Sequence, residues 1–153
     1  MRIELPAGRE FRVADAQRLN LDRADSEFAW PRLPLGDGSE IDLAASFDSG
    51  AKADRFAAKL FVRSASPGAV SISSANPTER LTIRYDESQI PWLGLWINNR
   101  AWSGCGSEPH LNLGLEPSTS PCESLTEAIA EGWTELLEPG NIRTWSLSIE
   151  VGS

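Results

Sequence analysis

The chain contains one histidine, one methionine, one tyrosine and two cysteines in 153 residues. Each shortage removes a class of chemistry. A single imidazole cannot supply the several nitrogen ligands of a histidine-based metal cluster within one subunit. Cys105 and Cys122 stand in no CxxC pattern, so neither a zinc site nor a dithiol redox motif follows from them. There is no GxSxG, no Walker A motif and no GxGxxG, so the familiar nucleophile and phosphate loops are missing. No apolar run approaches the roughly 20 residues needed to span a bilayer. The start, Met1–Phe11, has no apolar stretch of the signal-peptide kind. The expectation is a cytoplasmic protein with no membrane partner, no metal and no cofactor.

Positive charge is also scarce. Fourteen Lys and Arg stand against 22 Asp and Glu, a formal net charge of −8 at pH 7. Such a surface repels phosphate backbones and anionic headgroups, so nucleic acid is not an expected partner. The plain reading of the acidity is solubility. Lys and Arg form no cluster along the sequence, which argues against a phosphorylated substrate. Hydrophobic residues make up 41% and charged residues 24%, an ordinary globular balance. The length suits one domain over residues 1–153, large enough to bury a core without staples.

Short strand-like runs recur between Pro, Gly, Asn and Ser. Polar and apolar residues alternate over Arg2–Leu5, Glu10–Val13, Lys59–Arg63, Ala69–Ser73 and Leu81–Tyr85. Ile41–Leu43 is a shorter run. Trp92–Ile97 is apolar on both faces, as in a buried strand. His110–Leu115 puts Leu111, Leu113 and Leu115 on one face. Trp145–Val151 does the same with Trp145, Leu147, Ile149 and Val151. This spacing predicts an all-β fold of antiparallel sheets packed as a sandwich. One helix is expected, opened by a capping box at Ser120–Glu123 with Pro121 in its first position and stopped by Gly132. A second, weaker helix signal lies around Asp54–Ala58, and residues 15–34 read as a long connection.

Glu116 is the leading candidate for chemistry. It follows the Leu face of residues 111–115 on the opposite parity, the face of Asn112 and Gly114. Pro117 is expected to end the strand just beyond it. A carboxylate there can project over an open sheet face toward a ligand, or simply be a solvated strand-end acid. The six tryptophans are the second feature. Indole faces stack on the C–H faces of sugars, but they also fill cores. Parity assigns Trp92, Trp96 and Trp145 to packing, and Trp102, in the polar loop 98–107, is the expected exposed one. His110 shares the parity of Glu116 but lies about 20 Å away along a straight strand, too far for a dyad. Asp54, Arg55 and Lys59 are able to bond polyol hydroxyls, though on pattern alone ordinary surface charge is the better explanation.

Over 91–151 the sequence resembles the aldose 1-epimerase (galactose mutarotase) family. The resemblance is carried by Pro91–Trp96 (PWLGLW), Leu113–Thr119 (LGLEPST), Ser124-Leu125 with Ala128 and Gly132, Pro139-Gly140 and Trp145. Upstream, Arg2–Gly8, Trp30-Pro31, Ile41–Leu43 and Lys59–Phe61 look like the family's middle segment. The resemblance implies a β-supersandwich holding a hexose on a concave sheet face, with only the C-terminal half of it present in this chain. It implies Glu116 as the base that takes the proton of the anomeric hydroxyl. Asp54 then matches an aspartate that holds sugar hydroxyls. Lys59, Trp102 and Asn112 join them as candidate sugar contacts from residue type and position alone.

The family's acid histidine has no counterpart, and His110 does not map onto it. Ring opening would need Lys59, Tyr85 or a partner's residue as the acid. Three readings follow. The chain binds a hexose with little or no catalysis, or it is an epimerase-type isomerase completed by a partner subunit, or it is a structural fragment without a ligand. A partial sandwich exposes apolar edges, so a homodimer is expected.

Overall fold

The computed structural model describes residues 2–5, 9–17, 27–44, 55–74 and 79–152. Eleven strands and one helix occupy these residues. The strands are β1 Arg2–Glu4, β2 Glu10–Gln17, β3 Glu27–Ala29, β4 Arg32–Pro34, β5 Glu40–Asp42, β6 Phe56–Arg63, β7 Gly68–Ser73, β8 Arg80–Tyr85, β9 Trp92–Asn99, β10 Leu111–Ser118 and β11 Leu147–Gly152. Helix α1 is Leu125–Ala130. The protein is therefore mostly antiparallel β-sheet with one short helix. Among the described residues, no helix is long and apolar enough to cross a membrane.

A five-stranded sheet runs in the order β10-β9-β6-β2-β3, a four-stranded sheet in the order β1-β7-β8-β11, and β4 pairs with β5. The core lies between the two larger sheets. Phe11, Val13, Leu60, Leu93, Leu95 and Ile97 of the five-stranded sheet join Ile3 and Val70 of the other in one buried cluster. Leu33, in β4, and Leu43, just after β5, belong to the same cluster. Burying such side chains is worth about 1.5–3 kcal/mol each, which fixes the alternate residues of every central strand inward.

Five sequence expectations change here. Residues 15–34 are not one long connection, since β2 runs to Gln17 and β3 and β4 fall within that stretch. The segment around Asp54–Ala58 is not helical from Phe56 onward. It starts β6, whose residues from Phe56 to Val62 are all buried, and burial on both faces overrides a weak local helix preference. Pro117 does not end its strand, because β10 continues to Ser118. As β10 is the sheet edge, a residue without an N–H costs no ladder bond on the open side.

The helix starts at Leu125, four residues past the expected first position, Pro121. Ser124, not Ser120, is the N-cap, and its hydroxyl accepts from the Glu127 N–H. Gly132, at φ +69°, follows the helix end as expected. Trp145 is half exposed rather than packed, and Leu147, Ile149 and Val151 are exposed with it. Trp145 precedes β11, which ends the four-stranded sheet and is exposed at every residue.

Candidate functional site

The face of the five-stranded sheet turned away from the core collects the polar candidates. The β10–β9 register sets Asn112 opposite Asn98, Gly114 opposite Trp96 and Glu116 opposite Gly94. The β9–β6 register adds Ala57 beside Asn98, Lys59 beside Trp96 and Phe61 beside Gly94. Period-two alternation thus carries three strands' worth of small, charged and aromatic side chains onto one surface.

At its centre, Lys59 donates from Nζ to Glu116 Oε2. The same ammonium lies 3.0 Å from Glu123 Oε1. The lysine side chain is 6% exposed, whereas Glu116 and Glu123 are 45% and 61% exposed. A buried ammonium requires anionic partners to offset its desolvation. Here it has two, supplied by the edge strand and by the turn leading into α1. Small residues make the arrangement possible. A Cβ on Gly114 would stand 2.7 Å from Glu116 Oε1, and one on Gly94 would stand 3.1 Å from the Phe61 ring and 3.4 Å from Glu116 Cβ.

The aromatic part adjoins it. Trp96 and Trp102 meet edge to face, with centroids 5.8 Å apart and planes at 87°. Trp102 is 43% exposed. Its loop is held by Asn98, whose side chain is fully buried. Asn98 Oδ1 accepts from the N–H groups of Ala101 and Trp102, at 3.1 Å each. Asn98 Nδ2 donates to Trp102 O at 2.9 Å and to Asn112 Oδ1 at 3.1 Å. One amide therefore closes the loop and ties it to β10. Arg100, at φ 56°, takes the left-handed turn that lets the loop fold back.

Glu116, Lys59, Asn112 and Trp102 thus lie on one face. Asp54 lies outside the described residues. His110 is exposed, and its backbone bonds Trp102 and Arg100 across the loop. Tyr85 belongs to the other sheet, where its hydroxyl lies 3.0 Å from Ser64 Oγ, so it does not face Glu116. Burial holds its phenol above the ordinary value of 10.0, with the Ser64 bond opposing. Two members were not expected from sequence. Glu123 stands in what reads as a capping box, and Trp96 reads as core. The parity of Trp92, Gly94 and Trp96 against the fully buried Leu93, Leu95 and Ile97 is the signal that separates the two faces of β9.

Chemically, this face offers carboxylate oxygens as acceptors, a lysine that fixes one of them, an amide pair and an indole surface. Comparison with family models, with curated proteins and with solved structures gives no match. The likeness to aldose 1-epimerases therefore rests on the residues quoted above.

Proposed function

We propose that the chain binds a hexose-type carbohydrate on the outer face of the five-stranded sheet at Glu116, with little or no catalysis. The observation that carries this reading is the seating of Glu116. Its carboxylate is braced by Lys59, given room by Gly114 and neighboured by the Trp96–Trp102 pair. Polyols are bound by such a pairing of fixed acceptors with an aromatic face, the acceptors taking hydroxyl protons and the indole covering C–H groups. Ring opening needs a base and an acid acting on different oxygens. Lys59 directs its ammonium at Glu116 and Glu123 themselves, which favours binding over isomerisation.

The test is a millimolar titration with D-glucose and D-galactose followed by NMR. Shifts at Trp102 and at residues flanking Glu116 are expected, and their absence with both sugars would reject the reading. Polarimetry of freshly dissolved α-anomers should show no acceleration over buffer. An acceleration lost in Glu116→Gln would replace binding by an epimerase-type activity.

A second copy of the chain is the proposed protein partner. Strands β10 and β11 end their sheets, and Leu111, Leu147, Ile149 and Val151 expose apolar surface along them. A two-fold contact would cover the same edge in both copies at once. Light scattering at micromolar concentration is expected to give a dimer mass, and a monodisperse monomer would refute the pairing.

A further inference from the structure

Beside the Glu116 face lies a cleft of about 570 Å³ whose walls carry Arg9, Arg12 and Arg63 against a single acid, Glu27. In a chain where acids outnumber bases 22 to 14, three of the basic residues converge on one cavity. We propose that this cleft is a subsite for an oxyanion, so that the ligand of the Glu116 face is an anionic sugar: a uronate, or a sulfate or phosphate ester. The proposal rests on the carbohydrate reading of that face and narrows its substrate class.

Strand pairing sets the convergence. Arg12 on β2 stands opposite Phe61 on β6, and Arg63 on β6 stands opposite Trp92 on β9. Tryptophans hold two of the guanidiniums. Arg63 lies over the Trp92 ring at 5.4 Å, and Arg12 lies over the Trp133 ring at 5.2 Å. A cation–π contact restrains a guanidinium without using up its N–H donors, which keep their planar fork geometry. That fork matches the two oxygens of a carboxylate or an ester oxyanion. Arg12 is further steadied by Glu127 at 3.6 Å. Arg9 and Arg63 have no carboxylate within ion-pair distance among the described residues.

Phe61 joins the cleft to the Glu116 face. It lines the cleft, its ring lies 5.4 Å from Lys59 Nζ, and it fills the space on the Cβ side of Gly94, the residue opposite Glu116. Hydroxyl acceptors thus lie on one side of Phe61 and cationic donors on the other. At long range the net charge of −8 repels an anion. Within a Debye length of about 8 Å the three guanidiniums of the cleft stand against Glu27 and Glu127.

Calorimetry on the full chain tests this with D-glucuronate, D-glucose 6-sulfate, D-glucose 6-phosphate, neutral D-glucose and phenyl sulfate. At least one anionic sugar is expected to bind about tenfold or more tightly than glucose. Arg63→Gln and Arg9→Gln should each remove most of that preference and leave glucose binding unchanged. Which anion wins identifies the ester or the carboxylate as the source. Equal affinity for glucose and all three anionic sugars overturns the subsite while the carbohydrate reading stands. Phenyl sulfate binding that depends on Arg63, with no sugar bound at all, overturns the carbohydrate reading while the cleft's preference for oxyanions stands. An anionic preference that survives both arginine substitutions assigns the charge recognition elsewhere and overturns the proposal.

Discussion

Glu116 lies over Gly114, two residues before it on the same strand face, so closely that a Cβ at position 114 would meet Oε1 at 2.7 Å. The carboxylate is therefore positioned from below by the absence of a side chain and from the side by Lys59. Gly114→Ala should push Glu116 off this seat. The strand itself tolerates alanine, so the loss in stability should stay within about 1 kcal/mol, while sugar shifts at Trp102 should weaken strongly. Thermal melts together with the NMR titration check this. Unchanged sugar affinity in a folded Gly114→Ala protein would show that the seat is not needed.

Lys59 couples two carboxylates, so their substitutions should not add. With Glu116→Gln alone, the buried ammonium keeps Glu123, and with Glu123→Gln alone it keeps Glu116. Each single change is expected to cost about 1 kcal/mol, given the exposure of the acids. Removing both leaves the ammonium uncompensated, which costs about 3–5 kcal/mol. Urea unfolding of the four species gives the coupling. Strict additivity would mean that water already satisfies the lysine.

Asn98 should be the keystone of the Trp102 loop. Asn98→Ala strands two backbone N–H groups, at a cost of about 1–3 kcal/mol each. Asn98→Asp keeps those acceptors but loses both donated bonds and faces Asn112 Oδ1 with a negative charge. Both variants are expected to release Trp102 from Trp96, with alanine the more destabilising. Near-ultraviolet circular dichroism reads the loss of the edge-to-face pair. An unaltered spectrum in folded Asn98→Ala would place the loop's restraint elsewhere.

Tyr85 is the only tyrosine, so its ionisation can be followed by absorbance at high pH. Burial raises its native value above 10.0, and unfolding should return it to the ordinary one. A group raised on folding contributes stability that is complete below the unfolded value and lost as pH climbs through the folded one. Stability should therefore fall as pH rises above about 10, and Tyr85→Phe should remove this part of the dependence. A native titration midpoint equal to that in denaturant would contradict it.

The strands were legible because alternation is a local signal. Leu93, Leu95 and Ile97 must point one way once one of them is buried, and Glu116 then falls on the face of Gly114 and Asn112 by parity alone. The same rule was misleading at β11, where Leu147, Ile149 and Val151 alternate like core residues but are exposed. Pattern reports which face is apolar, and only the packing of one sheet on the other decides whether that face is covered. Pro117 taught a similar lesson, since its missing N–H matters only in a strand with neighbours on both sides.

By itself, then, the sequence determined an all-β chain with one short helix, and it offered Glu116, Asp54, Lys59, Asn112 and Trp102 as candidates. These follow from period-two patterning and turn chemistry, which act over a few residues. What only tertiary structure decided is who meets whom. Lys59 reaches Glu116 across 57 positions of sequence, and Arg12 and Arg63 enter one cleft because β2, β6 and β9 are adjacent. Scattered along the chain, the arginines read as ordinary surface charge. Strand order turns them into a cluster, because lateral pairing brings residues distant in sequence to spacings of about 5 Å.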